Sequence, residues 1–243
     1  MRNPKKIALV TGSGNRLGRK TAIALAEHGF DIVAHYRTSS KGILQTEKNV
    51  LAAGRRCVVI RADLSRSSDV KKMFSKAHKS FGRLDLLVNN AAIFPRPKEF
   101  VHITESEWDL VMNTNLKSVF LCCREAVRLM KNRGGQIINV ASLGAFLSWK
   151  NHLHYNVSKA AVVSLTRSLA RVLAPRIRVN SVAPGTISVP NEETASRLFP
   201  DVQKIPLKRY GTPNDITQAI IYLASSDYLT GEILKVDGGV TLK

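Results

Sequence analysis

Three residues in the second half of the chain have the types and spacing that proton transfer requires. Tyr155 and Lys159 are four residues apart, and the segment VSKAAVVSLTRSLARVL after the tyrosine has the apolar spacing of a helix. Residues at this spacing share one helix face, so the ammonium group would lie beside the phenol. A free phenol ionises near pH ~10, and a nearby cation lowers that pKa. Ser142, at the end of the predicted strand QIINVAS, could hold a substrate oxygen against the Tyr155 hydroxyl.

The same pair could also lie on an ordinary amphipathic surface helix, so the surrounding elements must show whether it belongs to a functional site. Short apolar runs alternate with helical patterns along the chain, which predicts a parallel, doubly wound sheet. The seven predicted strands are KKIALV, FDIVAHY, RCVVIRADLS, RLDLLVNNAAIF, QIINVAS, RIRVNSVAPG and EILKVDGG. The run WDLVMNTNLKSVFLCCREAVRLMKNR predicts one long helix. We therefore expect a single α/β domain over residues 1–243, Rossmann-like, with helices on both faces of a seven-stranded sheet.

The turn after the first strand carries a glycine pattern typical of dinucleotide sites. Gly12, Gly14 and Gly18 give G-x-G-x-x-x-G, whose second gap is one residue longer than in the commoner G-x-G-x-x-G. Glycines let the backbone approach a pyrophosphate, and amides at the helix N-terminus meet its charge. A glycine turn can also serve only to reverse the chain.

The turn after the second strand indicates which dinucleotide would bind. An acidic residue there would accept from the ribose 2′-hydroxyl and exclude a 2′-phosphate. The segment His35–Ser39 has no acid and instead carries Arg37 beside hydroxyl groups. A guanidinium suits a phosphate, so this turn predicts NADP(H) rather than NAD(H), unless Arg37 is simply a solvated loop residue.

Composition excludes several other classes of function. The net charge of +19 admits a nucleic-acid surface, an acidic or phosphorylated partner, or a basic proteome. Because basic residues are spread over most of the chain, no specific nucleic-acid binding is predicted. No apolar run approaches the length of a membrane span and no signal-peptide pattern is present, so we expect no membrane contact and a cytoplasmic protein. The cysteines lack metal-ligand spacing, which predicts no metal site; they are Cys57, Cys122 and Cys123.

The motifs together resemble the short-chain dehydrogenase/reductase superfamily. TGSGNRLG, DLS, NNA, NTN, Ser142, the Tyr155–Lys159 pair, VAPG and VDGG occur in the order typical of that superfamily. The resemblance implies four catalytic residues: Asn115, Ser142, Tyr155 and Lys159, with Asn115 anchoring a proton-relay water. It implies substrate contacts at Phe94, Ser142 and Tyr155. The implied cofactor-binding residues are Gly12, Gly14, Asn15, Arg16, Leu17, Gly18, His35, Tyr36, Arg37, Asp63, Leu64, Asn89, Ala91, Tyr155, Lys159, Pro184, Gly185 and Ile187.

Two branches of the superfamily compete for the substrate assignment. Pteridine reductases are similar at HYRTS and at Phe94, which matches a ring on which a pterin stacks. That branch usually has an aspartate where this chain has Ser142. The 3-oxoacyl-acyl-carrier-protein reductases are similar through the Ser142 set and through Arg133 and Arg176, which match a basic pair that docks the acidic carrier protein. Two departures from the superfamily pattern are Ala92, for a glycine, and Val189, for a threonine.

These observations predict an NADPH-dependent reductase that acts on a carbonyl or imine, either a small molecule or a carrier-bound group. The alternative is a non-catalytic NADPH-binding regulator with the same fold. The segments 143–154 and 187–205 are expected to shape the substrate pocket. The resemblance also implies a homotetramer or homodimer through helices 115–133 and 155–173, although their apolar faces could equally contact the sheet.

Overall fold

Seven parallel strands form one sheet, as the alternating pattern predicts. The computed structural model describes residues 5–189 and 200–242. The strands are β1 (Lys6–Val10), β2 (Phe30–Tyr36), β3 (Cys57–Arg61), β4 (Leu86–Asn89), β5 (Gly135–Val140), β6 (Ile177–Pro184) and β7 (Ile233–Val236). Their order across the sheet is β3-β2-β1-β4-β5-β6-β7. The order reverses between β1 and β4, and this is where an open parallel sheet forms a ligand crevice at the carboxyl ends of its strands.

Helices cover both faces of the sheet. They are α1 (Arg16–Glu27), α2 (Ser40–Ala52), α3 (Ser67–Phe81), α4 (Glu105–Met112), α5 (Ser118–Met130), α6 (Gly144–Leu147), α7 (Leu153–Leu173) and α8 (Pro213–Ser225). Alternate residues of β1 enter two separate apolar clusters, because successive strand side chains point to opposite faces. Leu9 packs in the cluster that contains α3, α5 and α7. Val10 packs in the cluster that contains α1, α2 and α8.

The long helix expected around the NTN motif is present as a continuous helical run from α4 to α5, but it contains a π-helical turn that the sequence did not predict. A π-helical turn, Asn113–Lys117, separates α4 from α5, and the Ser118 amide donates to the carbonyl of Asn113, five residues earlier. Such a turn inserts an extra residue into the helix and changes which side chains point inward. Here it leaves Asn115 fully buried. The second half of the predicted helix also ends at Met130 rather than at residue 133.

The helix that carries Tyr155 and Lys159 lies close to its expected bounds, since α7 runs from Leu153 to Leu173. The short helix α6 lies within the segment 143–154, which is expected to shape the substrate pocket. Residues 190–199 of the other expected pocket segment lie outside the described residues. Within residues 5–189 and 200–242, no helix has the length and apolar character needed to cross a bilayer.

Candidate active site

Ser142, Tyr155 and Lys159 converge at the carboxyl edge of the sheet. Ser142 follows β5 by two residues, and its Oγ accepts a hydrogen bond from the Gly144 amide at 3.2 Å. The Ser142 hydroxyl also hydrogen-bonds the phenol of Tyr155, in the first turn of α7. Lys159 lies one turn further along α7, with Nζ 5.9 Å from the centroid of the Tyr155 ring. Nζ donates to the carbonyl of Val140 at 2.8 Å, which ties α7 to the end of β5.

The protonation states differ from the sequence expectation. Burial raises the pKa of Tyr155, and the hydrogen bond from Ser142 opposes that rise. Burial lowers the pKa of Lys159 from 10.5 to about 8. The expectation that Lys159 lowers the resting pKa of Tyr155 is therefore wrong for this structure, because desolvation of the phenol outweighs any attraction to the ammonium group. The phenol is protonated at neutral pH, as a proton donor must be.

Asn115 is fixed by the loop that follows β4. Its Oδ1 accepts from the amide of Ile93 at 2.8 Å, and its Nδ2 donates to the carbonyl of Ile93 at 3.0 Å. Nδ2 also donates to the hydroxyl of Ser158 at 3.2 Å, which lies beside Lys159 in the sequence. The side chain therefore joins the π-helical turn to α7. A water relay at Asn115 would have to use its main chain, since both side-chain groups have protein partners.

Aromatic rings surround Tyr155, and two of them were not predicted. Phe94 stacks on His152, with ring centroids 4.6 Å apart and planes inclined by 17°. The same ring meets Tyr155 at 4.7 Å with planes inclined by 84°. Trp149 lies parallel to Tyr155 at 6.2 Å. The sequence shows both new residues in WKNHLHY, but it gives no periodicity that would mark them. A Cβ on Gly144 would lie 3.3 Å from Trp149 and from Tyr155, so only glycine fits easily there.

The glycine turn after β1 is held by Asn90 and Thr11, neither of which was predicted. Asn90 Nδ2 donates to the carbonyls of Thr11 at 2.9 Å and Gly12 at 3.3 Å. Thr11 Oγ1 accepts from the amides of Asn90 at 2.9 Å and Ala91 at 3.0 Å. Ala91 thus lies against the turn, and its contact with the cofactor stays a prediction. The Asn89 side chain does not lie against the turn, because it is buried in the core and donates to Oδ1 of Asn139 at 2.9 Å. Thr11 and Asn90 belong to the TG and NNA motifs, so these motifs are the sequence signal that could have identified both residues.

The turn itself has the geometry that its pattern requires. Gly12 has φ +65°, a conformation that favours glycine. A Cβ on Gly18 would lie 2.2 Å from the Gly12 carbonyl oxygen, so a side chain there would separate α1 from the turn. Arg19 Nη2 donates to the Gly14 carbonyl at 2.7 Å and to the Gly42 carbonyl at 3.3 Å, and thereby joins this turn to α2. Arg19 is a further residue that the motif did not identify.

Asn15, Arg16 and Leu17 continue from the turn into α1. The Asn15 Oδ1 accepts from the Ser39 hydroxyl at 2.9 Å, which joins the turns after β1 and β2. Arg16 has φ +47° and begins α1. The side chain of Leu17 packs against the apolar cluster of α1, α2 and α8.

The turn after β2 divides its residues between core and surface. His35 is buried, and its ring accepts from the Gly12 amide at 3.0 Å and bonds the Ala62 carbonyl at 3.1 Å. It therefore lies behind the glycine turn, and the prediction of a direct cofactor contact was wrong for its side chain. Tyr36 packs against the apolar cluster of α1, α2 and α8. Arg37 is exposed, and the structure shows no salt bridge to it among the described residues.

Asp63 and Leu64, after β3, have different environments. The Asp63 carboxylate accepts from the Ser65 hydroxyl at 2.7 Å and from its amide at 3.0 Å. These bonds lower the pKa of Asp63, with Ser65 as the largest cause and Arg37 as a smaller one. Leu64 is buried in the cluster of α3, α5 and α7, so it could reach a cofactor only through its main chain.

The PG turn lies next to the strand end that carries Ser142. The Leu143 amide donates to the Pro184 carbonyl at 3.1 Å, and the Gly185 amide donates to the Val236 carbonyl at 2.9 Å. Ile187 pairs with Gly211 in an isolated parallel bridge. These contacts bring the expected nicotinamide end of the site to the same sheet edge as Tyr155.

Arg133 and Arg176 lie at the opposite, amino-terminal edge of the sheet. They line one depression together with residues that begin β1, β2 and β6. The Gly135 amide, at the start of β5, donates to the Arg176 carbonyl at 3.2 Å. Since a strand rises about 3.3 Å per residue, the length of β5 places this depression roughly 20 Å from Ser142. The pair is thus brought together, but away from Ser142, Tyr155 and Lys159 of the same chain.

The cysteines pack as small apolar residues. Cys122 and Cys123 are buried in the cluster of α3, α5 and α7, and burial raises the pKa of each thiol. Burial also raises the pKa of Cys57, to about 12. Within residues 5–189 and 200–242, no group of three histidine, cysteine or acidic side chains could hold a metal ion.

Comparison with known proteins identifies the family. The family model described as Enoyl-(Acyl carrier protein) reductase matches residues 12–241. The chain is 36% identical over 241 residues to the 3-oxoacyl-[acyl-carrier-protein] reductase FabG of Staphylococcus epidermidis, with 97% of this chain and 98% of the relative covered. The chain belongs to the short-chain dehydrogenase/reductase superfamily. It is therefore an oxidoreductase by family, with a nicotinamide cofactor.

Solved structures similar to this short-chain dehydrogenase/reductase contain different cofactors. The carveol dehydrogenase of Mycobacterium avium, solved with NAD, has a TM-score of 0.93 at 28% identity over 100% of this chain and 99% of that chain. A blue fluorescent protein from a metagenomic library, solved with NADPH, has a TM-score of 0.89 at 33% identity over 97% of this chain and 98% of that one. Membership in the superfamily thus leaves the choice between NAD and NADP to the residues of this chain.

The residues at the switch point fit a nicotinamide dinucleotide. Gly12 provides a left-handed turn beside the first turn of α1, where helix amides have no intrahelical acceptors and favour an anion. Asn15 and Ser39 join this turn to the turn that carries Arg37, where the adenosine end would lie. Gly185, at the other end of the edge, follows Pro184, whose carbonyl accepts from the Leu143 amide next to Ser142. The fit supports a cofactor stretched along the carboxyl edge of the sheet.

Proposed function

We propose that this short-chain dehydrogenase/reductase is an NADPH-dependent reductase of a carbonyl or imine. The observation that carries the proposal is the convergence of Ser142, Tyr155 and Lys159 beside the switch point that bears the glycine turn. When bound, the cofactor would supply a hydride to the substrate carbon. The protein residues then have to orient the substrate and deliver one proton.

Tyr155 is the proton donor in this proposal. Its raised pKa keeps the phenol protonated at neutral pH, and its hydroxyl already hydrogen-bonds Ser142. A substrate oxygen or nitrogen that accepts from both hydroxyls would lie where negative charge develops during reduction, and the phenol proton would move to that atom. The Lys159 cation would then stabilise the phenolate left behind. Asn115 holds the π-helical turn against α7 and so keeps these groups in register.

A panel of substrates tests the proposal directly. Oxidation of NADPH and of NADH would be followed with small ketones, 3-oxoacyl thioesters and dihydropterins. We expect turnover with NADPH and at least one carbonyl or imine, and weaker binding of NADH. Tight NADPH binding without turnover of any of these compounds would instead favour a regulator that uses the fold only to bind the cofactor.

Arg37 is expected to set the preference for NADPH. Its exposed guanidinium follows β2, the position at which a 2′-phosphate would lie. Replacing Arg37 with Asp removes a charge-assisted contact and adds repulsion, so the Kd for NADPH should rise by about tenfold to a hundredfold while NADH is much less affected. Titration of both cofactors by fluorescence measures this.

The matched control for this change is Lys48→Asp, which makes the same charge change at an exposed position further along α2. It should leave NADPH affinity almost unchanged. An Arg37→Asp protein that binds NADPH as tightly as the wild type would remove Arg37 from the site.

Two classes of substrate are candidates, a carrier-bound 3-oxoacyl group and a planar heterocycle. The relative from Staphylococcus epidermidis is a 3-oxoacyl-[acyl-carrier-protein] reductase, and the intact Ser142–Tyr155–Lys159 set supports the same reaction here. A planar substrate is favoured by one observation, the Phe94 ring beside Tyr155, which remains 48% exposed although one face stacks on His152. Neither the family model nor the relative named here adds support for a pterin, so that assignment rests on the sequence motifs and on this ring.

A carrier-bound substrate makes a further prediction for Arg133 and Arg176. Their depression is roughly 20 Å from Ser142 along β5, so a carrier docked there must either span that distance or serve a second copy of the chain. The double change Arg133→Glu and Arg176→Glu should raise KM for a carrier-protein substrate by about tenfold or more and spare a small thioester, because charge steering acts on the acidic partner alone.

Exposed lysines on α3 provide the control for this pair, since Lys72→Glu with Lys76→Glu reverses the same amount of charge. Steady-state kinetics on both substrates distinguish the outcomes. Equal losses on carrier and thioester would indicate damage to the common site, and no loss on either would remove the docking role.

We also propose that the chain assembles into homodimers or homotetramers through α5 and α7. The sheet-facing side chains of both helices are already buried, among them Cys122 and Val162. Phe120 on α5 and Val157 on α7 remain 46% and 41% exposed. Exposed apolar side chains that the core does not use support contact with another copy.

A further inference from the structure

A single buried imidazole connects the three turns that would bind the adenosine half of the cofactor. His35 ends the buried part of β2, and only 2% of its surface is exposed. One ring nitrogen, Nδ1, accepts from the amide of Gly12 at 3.0 Å, in the turn after β1. The other, Nε2, lies 3.1 Å from the carbonyl oxygen of Ala62, which directly precedes Asp63 in the turn after β3. The ring therefore joins residues 23 positions before it and 27 positions after it.

The partners fix the chemical state of the ring. An amide can only donate and a carbonyl can only accept, so Nδ1 must be unprotonated and Nε2 must carry the proton. Burial agrees with this neutral state, because it lowers the pKa of His35 to about 4. Neither nitrogen has capacity left for a ligand. His35 consequently acts on a cofactor only through the backbone that it holds.

The backbone of His35 strengthens the same connection. Its carbonyl oxygen accepts from the Ser13 amide at 2.9 Å and from the Ser13 hydroxyl at 3.1 Å. The Gly12 carbonyl, on the other side of the turn, accepts from Asn90 at 3.3 Å. The amides of Gly12 and Ser13 are therefore already used by the protein. An anion would meet the amides that follow them, at the start of α1, whose direction depends on how the turn is held.

From this geometry we infer that His35 is a positioning residue for the dinucleotide, which sets the direction of the phosphate-binding amides and the spacing between the turns after β1 and β3. The inference rests on the proposed cofactor site. It assigns His35 no contact with substrate or cofactor and no step in the reaction. Loss of the ring should weaken cofactor binding much more than it slows reduction at saturating cofactor.

Three substitutions separate the two ring bonds. His35→Phe keeps a ring of similar size and removes both bonds. His35→Asn places an amide oxygen near the position of Nδ1 and can still accept from Gly12. His35→Gln places an amide nitrogen near the position of Nε2 and can still donate to Ala62. We expect the Kd for NADPH to rise roughly tenfold or more in His35→Phe, with partial recovery in His35→Asn.

The measurements distinguish positioning from a merely structural role. Reduction rates at saturating NADPH should stay within about threefold of wild type, and KM for the carbonyl substrate should not change. In the free protein, a scalar coupling between the Gly12 amide nitrogen and Nδ1, detected by ¹⁵N NMR, should be present in the wild type and should disappear with the ring. Urea unfolding of each variant reports its stability separately.

The outcomes are decisive in both directions. A folded His35→Phe or His35→Asn protein with wild-type affinity for NADPH would overturn the inference, as would absence of the coupling in the wild type. Loss of stability without loss of affinity would also overturn it, because that result indicates packing alone. If His35→Phe does not fold, His35→Asn and His35→Gln remain, and wild-type affinity for NADPH in both would contradict the inference. Failure of the wild type to bind either dinucleotide would refute the proposed function instead.

Discussion

Replacing Tyr155 with Phe should lower the single-turnover rate of reduction at saturating NADPH by at least about a hundredfold, while NADPH affinity changes little. The substitution deletes the phenol proton and keeps the ring between Phe94 and Trp149, so the aromatic packing survives. General acid catalysis by a positioned group typically contributes about 10²–10⁴ in rate. Stopped-flow absorbance of NADPH with the best substrate of the panel measures the effect.

A phenol far from the site provides the control. Tyr228 is 99% exposed and precedes β7, so Tyr228→Phe should leave the rate unchanged. A Tyr155→Phe rate within about tenfold of wild type, a barrier change of only ~1.4 kcal/mol, would show that another group supplies the proton. Ser142→Ala should slow the reaction less, because the proton donor remains.

Replacing Lys159 with Met should lower both the rate and the affinity for NADPH, since it removes the cation beside Tyr155 and the bond to Val140. The pKa of about 8 gives a second, pH-dependent expectation. Lys159 is cationic below that value and neutral above it. The wild-type rate at saturating substrates should therefore fall as the pH rises through about 8, and the Lys159→Met rate should lack this step.

Stability should change in the opposite direction over the same pH range. The pKa of Lys159 is lower in the folded chain, about 8, than its ordinary 10.5, so between these values the unfolded chain binds the additional proton. The contribution of this group to the free energy of unfolding consequently increases with pH across that window. Lys159→Arg keeps a cation that does not titrate, so its rate should lack the step near pH 8. A wild-type rate that is flat from pH 7 to about 9.5 would contradict the assignment.

The sequence by itself determined the fold and placed the proposed catalytic pair on one helix. Alternation of short apolar runs with helical periods predicted the parallel sheet, and the structure confirms it. The spacing of Tyr155 and Lys159 placed them on one helix, and α7 contains both. These inferences succeeded because periodicity and turn chemistry are local properties that the chain shows directly. The π-helical turn at Asn115 was missed because its neighbours continue the helical period on either side.

Only the tertiary structure decided which partners each polar group has. His35 and Asn89 occur beside cofactor motifs, yet their hydrogen bonds go to Gly12 and Ala62 in one case and to Asn139 in the other. Asn90, which the sequence shows only as part of the NNA motif, holds the glycine turn across 78 residues. Burial, which raises the pKa of Tyr155 against the expectation from Lys159, likewise depends on elements distant along the chain. Hydrogen-bond partners and desolvation are set by long-range contacts, which spacing within one segment does not encode.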